Sequence, residues 1–212
     1  MIRPLCLALT LLTAWPALAQ DLPPPVAGNF KTDLGHSRLS FRVSHLGFSH
    51  YTAFFRDFDA DLAFDPEHPE NMKVTATIQV ASVETMYPDP AVDFNAVLAG
   101  ADLLDAATYP EITFTSTAVA LTGANTADVT GDLTLHGVTK PMTLAVTYNG
   151  GYGAFPMDPG GARIGFSATG SLLRSDFGID FGVPVPGSSF GVGDAVEIIL
   201  ETELLNPDAP KP

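Results

Sequence analysis

The segment Gly131–Tyr148, which reads GDLTLHGVTKPMTLAVTY, restricts the possible folds of this chain more than any other. Apolar residues alternate strictly on both sides of a compact loop, His136–Pro141, and these residues are Leu133, Leu135, Met142, Leu144 and Val146. Period-two alternation around a loop that contains Gly and Pro predicts an antiparallel β-hairpin. Gly137 can adopt a positive φ. Pro141 is expected where the returning strand begins, because its missing N–H costs no ladder hydrogen bond there.

The same alternation recurs at short spacing almost to the end of the chain. It covers residues 39–45, 57–64, 74–80, 112–115, 129–135, 164–172 and 196–204. About eight strands, each with one apolar and one polar face, predict an all-β chain whose antiparallel sheet closes or folds over on itself. Phe55 and Phe58 break the parity of their strand, and a β-bulge near Arg56–Asp57 would direct both rings inward.

One stretch has a helical period instead. Val97, Leu98, Ala101 and Leu104 form an apolar stripe at the spacing of an α-helix. Asp89 or Asp93 could begin this helix, and Tyr109–Pro110 should end it. No linker or internal repeat divides the chain, so we expect one domain with one short helix.

Residues 1–19 are predicted to be a cleaved signal peptide. A basic residue, Arg3, precedes an apolar core that is too short to span a membrane, and a small-x-small site ends it at Ala17–Ala19. An uncleaved anchor is the alternative. Residues 20–28, with three consecutive prolines, are predicted to be a disordered lead-in, residues 29–206 the folded domain, and residues 207–212 a flexible tail.

Charge and cysteine content exclude several function classes. The formal net charge is −14, and it becomes −15 after cleavage because Arg3 is the only charged residue in the signal segment. Nucleic acid and anionic lipid surfaces would repel such a chain. Cleavage also removes the single cysteine, Cys6, so we expect neither disulfides nor cysteine-based catalysis or metal binding. We predict no cofactor and no metal.

Two apparent motifs lack the context that their chemistry needs. The run Gly187–Gly191 fits G-x-S-x-G, but a nucleophile elbow requires a strand–turn–helix corner in an α/β sheet. Asp57, Asp59 and Asp61 resemble the start of a calcium loop, yet Leu62 replaces the required Gly. These carboxylates are interpreted as the solvent face of a strand.

The five histidines have no metal-clip spacing, although His36, His45 and His136 could converge inside a barrel. Hydrogen-bonded structural histidines are the simpler interpretation. His45 shares the parity of its apolar neighbours, so it could enter the interior. Arg174 and Asp176 could form an ion pair at a strand end, or Arg174 and Lys140 could meet a polar headgroup.

The inward faces of the strands are rich in phenylalanine. An eight-stranded barrel encloses enough space either for its own side chains or for one slender ligand. Periodicity alone does not distinguish a filled core from a lined tunnel, and without further information the packed core is the simpler interpretation. The rings that would project inward are Phe41, Phe55, Phe58, Phe64, Phe114 and Phe166.

An ordered set of short motifs resembles the YceI-like family over about residues 29–204. The set comprises His36-Ser37 with Phe41, His45–Ser49, Phe55-x-x-Phe58, Phe64–Pro66, Ala81–Thr85, Tyr109–Ser116, Gly131–Pro141, Gly165-Phe166 and Asp176–Gly178. The resemblance implies a lipocalin-like, extended antiparallel barrel whose apolar tunnel binds a polyisoprenoid or similar amphiphile. Family members are mostly periplasmic, often dimeric and without established enzymatic activity.

On this resemblance we expect a non-enzymatic periplasmic carrier or scavenger of a quinone-type or prenyl-phosphate lipid, with no stable membrane insertion and a homodimer as one possible assembly. The alternatives are a scavenger of other amphiphiles, such as fatty amides or toxic hydrophobic compounds, an enzyme that uses His45 or His136 as acid or base, and a structural domain with a filled barrel. Met86–Ala101 lacks the family's usual charged residues, and Phe177–Gly193 is long and rich in Gly and Pro. The expected ligand-binding residues are Phe41, Val43, His45, Phe55, Phe58, Phe64, Ile78, Val80, Leu104, Phe114, Leu133, Leu135 and Phe166, with Lys140 and Arg174 as headgroup contacts.

Overall fold

The structure, a computed structural model, describes residues 22–210, so the predicted signal peptide lies outside the described residues. Within this range eleven strands form one antiparallel sheet. The strands are β1 (Gly28–Thr32), β2 (Arg38–His45), β3 (Ser49–Phe55), β4 (Phe58–Phe64), β5 (Lys73–Gln79), β6 (Val83–Glu84), β7 (Glu111–Leu121), β8 (Thr126–Leu135), β9 (Val138–Tyr152), β10 (Ala162–Leu173) and β11 (Val192–Asn206).

The sheet closes into a barrel with eight strand positions. The eleven strands fill only eight positions because three pairs of short strands continue one another. β1 leads into β2, β3 into β4 and β5 into β6, so each pair occupies one position around the barrel. β11 pairs with β10 on one side and with both β2 and β1 on the other, for example Ile198 with Phe41 and Leu205 with Lys31. The predicted all-β barrel is confirmed.

The hairpin of β8 and β9 has a tighter turn than the sequence indicates. Only His136 and Gly137 lie between the strands, and both have positive φ, 51° and 75°. Pro141 therefore lies within β9, opposite Asp132, rather than at the strand's beginning. Counting outward from the turn places Pro141 at a non-hydrogen-bonded pair, so its missing N–H leaves the β8–β9 ladder intact.

In place of the β-bulge predicted near Arg56–Asp57, a two-residue break separates two strands, and both rings point inward as predicted. β3 ends at Phe55 and β4 begins at Phe58, and both rings are buried on the inner side of the barrel. The two intervening residues turn toward Ser82, whose carbonyl accepts from the Arg56 amide at 3.1 Å. The carboxylates of Asp57, Asp59 and Asp61 lie on the exposed face, as the alternation predicts.

The helix is shorter than its apolar stripe predicts. The α-helix found in the described residues, α1 (Phe94–Leu98), begins after Asp93, whose side chain accepts from the Ala96 amide at 3.0 Å. The predicted continuation of this helix to Tyr109 is wrong, because residues 99–108 form successive turns. Gly100 weakens the helix there, and the Asp105 backbone, at φ 44°, leaves the helical region.

Both flanks of the barrel contact it. The Gly153 amide donates to the Pro23 carbonyl at 2.6 Å, and Ala209 is buried against the end of the barrel. The predicted domain boundaries themselves remain predictions. Within residues 22–210, no helix has the length and apolar character needed to cross a bilayer.

Candidate functional site

A continuous cavity of about 1120 Å³ runs through the barrel. Every barrel position contributes side chains to it, and most of them are apolar. Of the residues predicted to bind a ligand, only Val80 lies outside the lining, because it follows β5 in a 3₁₀ turn and is buried among other core residues. Those that line the cavity are Phe41, Val43, His45, Phe55, Phe58, Phe64, Ile78, Leu104, Phe114, Leu133, Leu135 and Phe166.

The interior is a lined tunnel and not a filled core. On the wall formed by β4 and β5, Phe58 and Ile78 are buried among their neighbours. On the adjoining wall, Phe41 of β2 and Ile198 of β11 also face inward, yet they are only half-buried because the space in front of them is open. A structural domain with a filled barrel would close this space, so the alternative of a packed core is wrong.

At the upper end of the tunnel, irregular segments and the β2–β3 turn form a mouth. We define this end by the connections at residues 46–48, 85–110 and 174–191. The side chains that line the tunnel here are mixed in polarity and comprise His45, Ser49, Tyr51, Tyr87, Val97, Arg174 and Phe181. Several polar groups of the lining therefore lie where the end of a ligand would contact them.

At the lower end the tunnel reaches the β4–β5 and β7–β8 connections, where Pro66, Leu121 and Asn125 line it. Tyr148 enters the lining near this end, with its ring 5.3 Å from that of Phe166. Burial raises the pKa of the Tyr148 phenol. The phenol therefore stays neutral at physiological pH and adds no charge to the apolar tunnel.

The protein-family model that describes the YceI-like domain matches residues 30–204 of this sequence. The chain belongs to the YceI-like family. The UPF0312 protein of Pseudomonas savastanoi pv. phaseolicola (strain 1448A / Race 6) is 42% identical to it over 175 residues, which are 82% of this chain and 84% of the relative. A UPF0312 protein of Pseudomonas putida (strain W619) is also 42% identical, over the same shares of both chains.

Solved structures share the YceI-like barrel. Burkholderia cenocepacia BcnA has a TM-score of 0.66 and 30% identity, covering 81% of this chain and 98% of that one. The Campylobacter jejuni YCEI protein has a TM-score of 0.61 and 28% identity, covering 77% and 89%. A polyisoprenoid binding domain from Saccharophagus degradans, with a TM-score of 0.57 and 17% identity over 87% and 99%, shows the common fold alone.

The two segments in which this YceI-like chain departs from the family pattern both border the upper mouth. Met86–Ala101 contributes Tyr87, Phe94 and Val97 to the lining. Phe177–Gly193 contributes Phe181 from a loop that has no regular secondary structure. The sequence differences are therefore concentrated where the end of a bound ligand would lie.

Arg174 lines the tunnel, but its guanidinium is already engaged. It begins a 3₁₀ turn, Arg174–Phe177, and is only 6% exposed. Burial lowers the pKa of Arg174, and nearby Asp194 and Asp180 oppose that change, so the group remains a cation. Its nitrogens donate at 2.7–3.3 Å to the backbone carbonyls of Ile179, Phe181, Val192 and Gly193.

Lys140 does not reach the tunnel, and the predicted ion pair of Arg174 with Asp176 is wrong. Asp176 instead binds Lys140, with Nζ 2.6 Å from Oδ1, on the outside of the barrel. Arg174 turns away from Asp176 because its guanidinium holds both ends of the 178–193 loop. Of the two predicted headgroup contacts, the structure brings only Arg174 to the lining.

The three histidines that could have converged lie apart. His45 is at the upper mouth, whereas His36 Nδ1 lies 2.8 Å from Asp33 Oδ2 on the outer surface. His136 Nδ1 lies 3.1 Å from the Phe177 carbonyl oxygen and does not line the tunnel. His45 and His136 therefore do not form a shared acid–base site.

Asp33, His36 and Glu203 are the one group in the described residues with the mutual distances of a metal site. Arg163 lies between them, with Nη1 2.9 Å from Asp33 Oδ2 and in contact with Glu203 Oε2. This cation already pairs with both carboxylates. Hydrogen bonds from His36 and then Arg163 lower the pKa of Asp33, although burial opposes them. The cluster is an ion-pair network that joins β1, β10 and β11.

Some lining residues escaped the sequence prediction. Many continue the inward parity of strands already recognised, including Val74, Ala76, Val196, Ile198 and Leu200, so alternation alone could have found them. Tyr87 and Phe181 had no such signal, because periodicity is absent from irregular segments.

Proposed function

We propose that this protein is a periplasmic carrier or scavenger that encloses the tail of a polyisoprenoid lipid in its tunnel. The observation that carries the proposal is the apolar tunnel of about 1120 Å³ that extends from one end of the barrel to the other. A domain described as polyisoprenoid binding shares this fold. The periplasmic location rests on the signal sequence predicted for residues 1–19.

The energetics favour a long, weakly polar ligand. Each CH₂ group moved from water into an apolar site contributes about 0.8 kcal/mol, so a chain of several prenyl units can exceed the cost of ordering it. The phenylalanine rings of the tunnel offer broad contact surfaces without hydrogen-bonding groups that the ligand would have to satisfy. Matching apolar length, and not a specific polar contact, is the main source of affinity.

At the upper mouth the polar groups favour a neutral, quinone-type headgroup over a phosphate. Arg174 donates to four backbone carbonyls, and Lys140 is paired with Asp176 outside the tunnel. A phosphate would need a cation that is free to bind it. The hydroxyl groups of Ser49 and Tyr87 line the mouth and can donate to a quinone oxygen.

A non-enzymatic role accords with the separation of the ionisable groups. His45 lines the mouth, but His136 is occupied at the Phe177 carbonyl. General acid–base catalysis needs groups within hydrogen-bond reach of the same reacting atoms. Binding alone uses everything that the tunnel provides.

Extraction of lipid from protein isolated from its own periplasm, followed by mass spectrometry, tests the proposal. We expect a prenylated quinone or a related neutral prenyl lipid. Delipidated protein should also bind a prenylquinone more tightly than a prenyl phosphate of equal chain length. A protein that is isolated empty and takes up neither lipid contradicts the proposal, and recovery of fatty amides or other amphiphiles would favour the alternative scavenger.

A further inference from the structure

We propose that four exposed apolar side chains beside the upper mouth dock the protein on a zwitterionic lipid bilayer. We call these residues, Phe48, Phe181, Val185 and Phe190, the apolar rim. The inference rests on the proposed function, since it identifies the surface through which the tunnel receives and releases a membrane lipid.

The side chains of the apolar rim are much more exposed to solvent than is usual for large apolar residues. Phe48 is 88% exposed, Phe190 82%, Val185 72% and Phe181 62%. Single apolar residues are common on protein surfaces, but a cluster of this kind is typical of an interaction site.

Backbone contacts bring the rim residues together although they are distant in sequence. The Leu46 amide donates to the Gly191 carbonyl at 2.8 Å, so the β2–β3 turn that carries Phe48 lies against the loop that carries Phe190. The Val192 amide donates to the Gly182 carbonyl at 2.9 Å, which brings the Phe181 end of the loop to the same place.

Arg174 fixes this arrangement from below. Its guanidinium binds the carbonyls of Phe181 and Val192, which stand at the two ends of the loop. The loop between them is therefore held at its base, and Val185 and Phe190 are presented to solvent from a defined position.

Charge identifies the kind of surface that the rim fits. The chain carries a net charge of −14, yet residues 181–193 and 46–49 contain no charged side chain. The nearest ionisable residues along the chain are His45, His50, Asp180 and Asp194. Acidic lipids would repel the body of the protein. A zwitterionic bilayer imposes no such cost and accepts apolar side chains at its headgroup boundary.

The rim also adjoins the tunnel opening. Phe181 belongs to both the rim and the tunnel lining, and His45 and Ser49 line the mouth on either side of the turn that carries Phe48. With the rim in the bilayer, a prenyl tail could pass between membrane and tunnel with little exposure to water. This continuity favours a lipid surface over a second protein as the occupant.

Flotation with phosphatidylcholine vesicles that contain no prenyl lipid tests the rim. Phe48→Ser and Phe190→Ser, alone and combined, are compared with Met157→Ser, an equally exposed apolar residue (78%) in the β9–β10 connection at the lower end. We expect the parent and Met157→Ser to float equally, and the double variant to lose about tenfold or more in partitioning. Adding phosphatidylglycerol should weaken parent binding.

Three results would overturn the inference. The first is no flotation of the parent, and the second is equal flotation of the parent and the double variant. The third is a dimeric parent and a monomeric double variant, neither of which binds vesicles. Calorimetric titration of each delipidated variant with a soluble short-chain prenylquinone separates this inference from the proposed function. Unchanged quinone affinity with lost flotation supports the rim. Absence of quinone binding in the parent counts against the proposed function, whatever the vesicles show.

Discussion

At the scale of single residues, Arg174 and Lys140 show how differently two cations can act at the same end of the barrel. Arg174 is buried and satisfies four carbonyls, whereas Lys140 forms an exposed ion pair. Arg174→Met should lower the free energy of unfolding by about 3 kcal/mol, because buried carbonyls lose their donors. Lys140→Met should cost less than about 1 kcal/mol. Urea unfolding measures both, and similar losses would contradict the structural role of Arg174.

Two aspartates at the lower part of the barrel are expected to titrate below the ordinary range. Hydrogen bonds from His36 to Asp33, and from Tyr152 to Asp158, lower the pKa of each carboxyl. A lowered folded-state pKa stabilises the protein above the unfolded value, about 3.9, and this contribution is lost as the pH falls through the folded value. Carboxyl NMR titration should give both pKa values below 3.9. Tyr152→Phe should move the Asp158 value upward and leave Asp33 nearly unchanged.

At the scale of elements, the β8–β9 turn combines two separate demands on Gly137. Its φ is 75°, and an added Cβ would lie 2.5 Å from Tyr109 Cε1. Gly182 is the matched control, because its φ is 71° and nothing lies within 4 Å of an added Cβ. Gly182→Ala should cost about 1 kcal/mol from backbone strain alone. Gly137→Ala should cost at least about 1 kcal/mol more. Equal costs in urea unfolding would show that the Tyr109 ring moves freely aside.

The same turn shows how far sequence reasoning reaches. Alternation predicted β8, β9 and their inward residues, because side-chain direction follows strand parity without knowledge of neighbours. It misplaced Pro141, because it assigned six residues, His136–Pro141, to the loop. The turn has only two residues, and this depends on a positive φ at both His136 and Gly137, which alternation does not reveal. It could not place Phe181 or orient Arg174, since both depend on a long loop folding back on distant residues.

At the scale of the whole molecule, the tunnel makes stability depend on its occupant. A ligand that binds only the folded state raises the free energy of unfolding in proportion to the logarithm of its concentration over Kd. The barrel keeps a cavity of about 1120 Å³ instead of filling it, so the half-buried Phe41 and Ile198 gain their missing contacts only from a ligand. Delipidated protein should therefore unfold at a lower temperature than the lipid-bound protein, and added prenylquinone should raise its unfolding temperature back to that of the lipid-bound protein.

Blocking the tunnel separates this dependence from general effects on folding. Ala76 of β5 faces the tunnel midway along the barrel, paired with Ala60 and Phe114 on the neighbouring strands. Ala76→Trp should fill that section, so prenylquinone binding should fall at least tenfold and the ligand-dependent rise in unfolding temperature should disappear. Ala63→Trp places the same ring on the exposed face of β4 and should leave both quantities unchanged. Retained binding in Ala76→Trp, measured by calorimetry with its fold confirmed by circular dichroism, would mean that the ligand lies outside the tunnel.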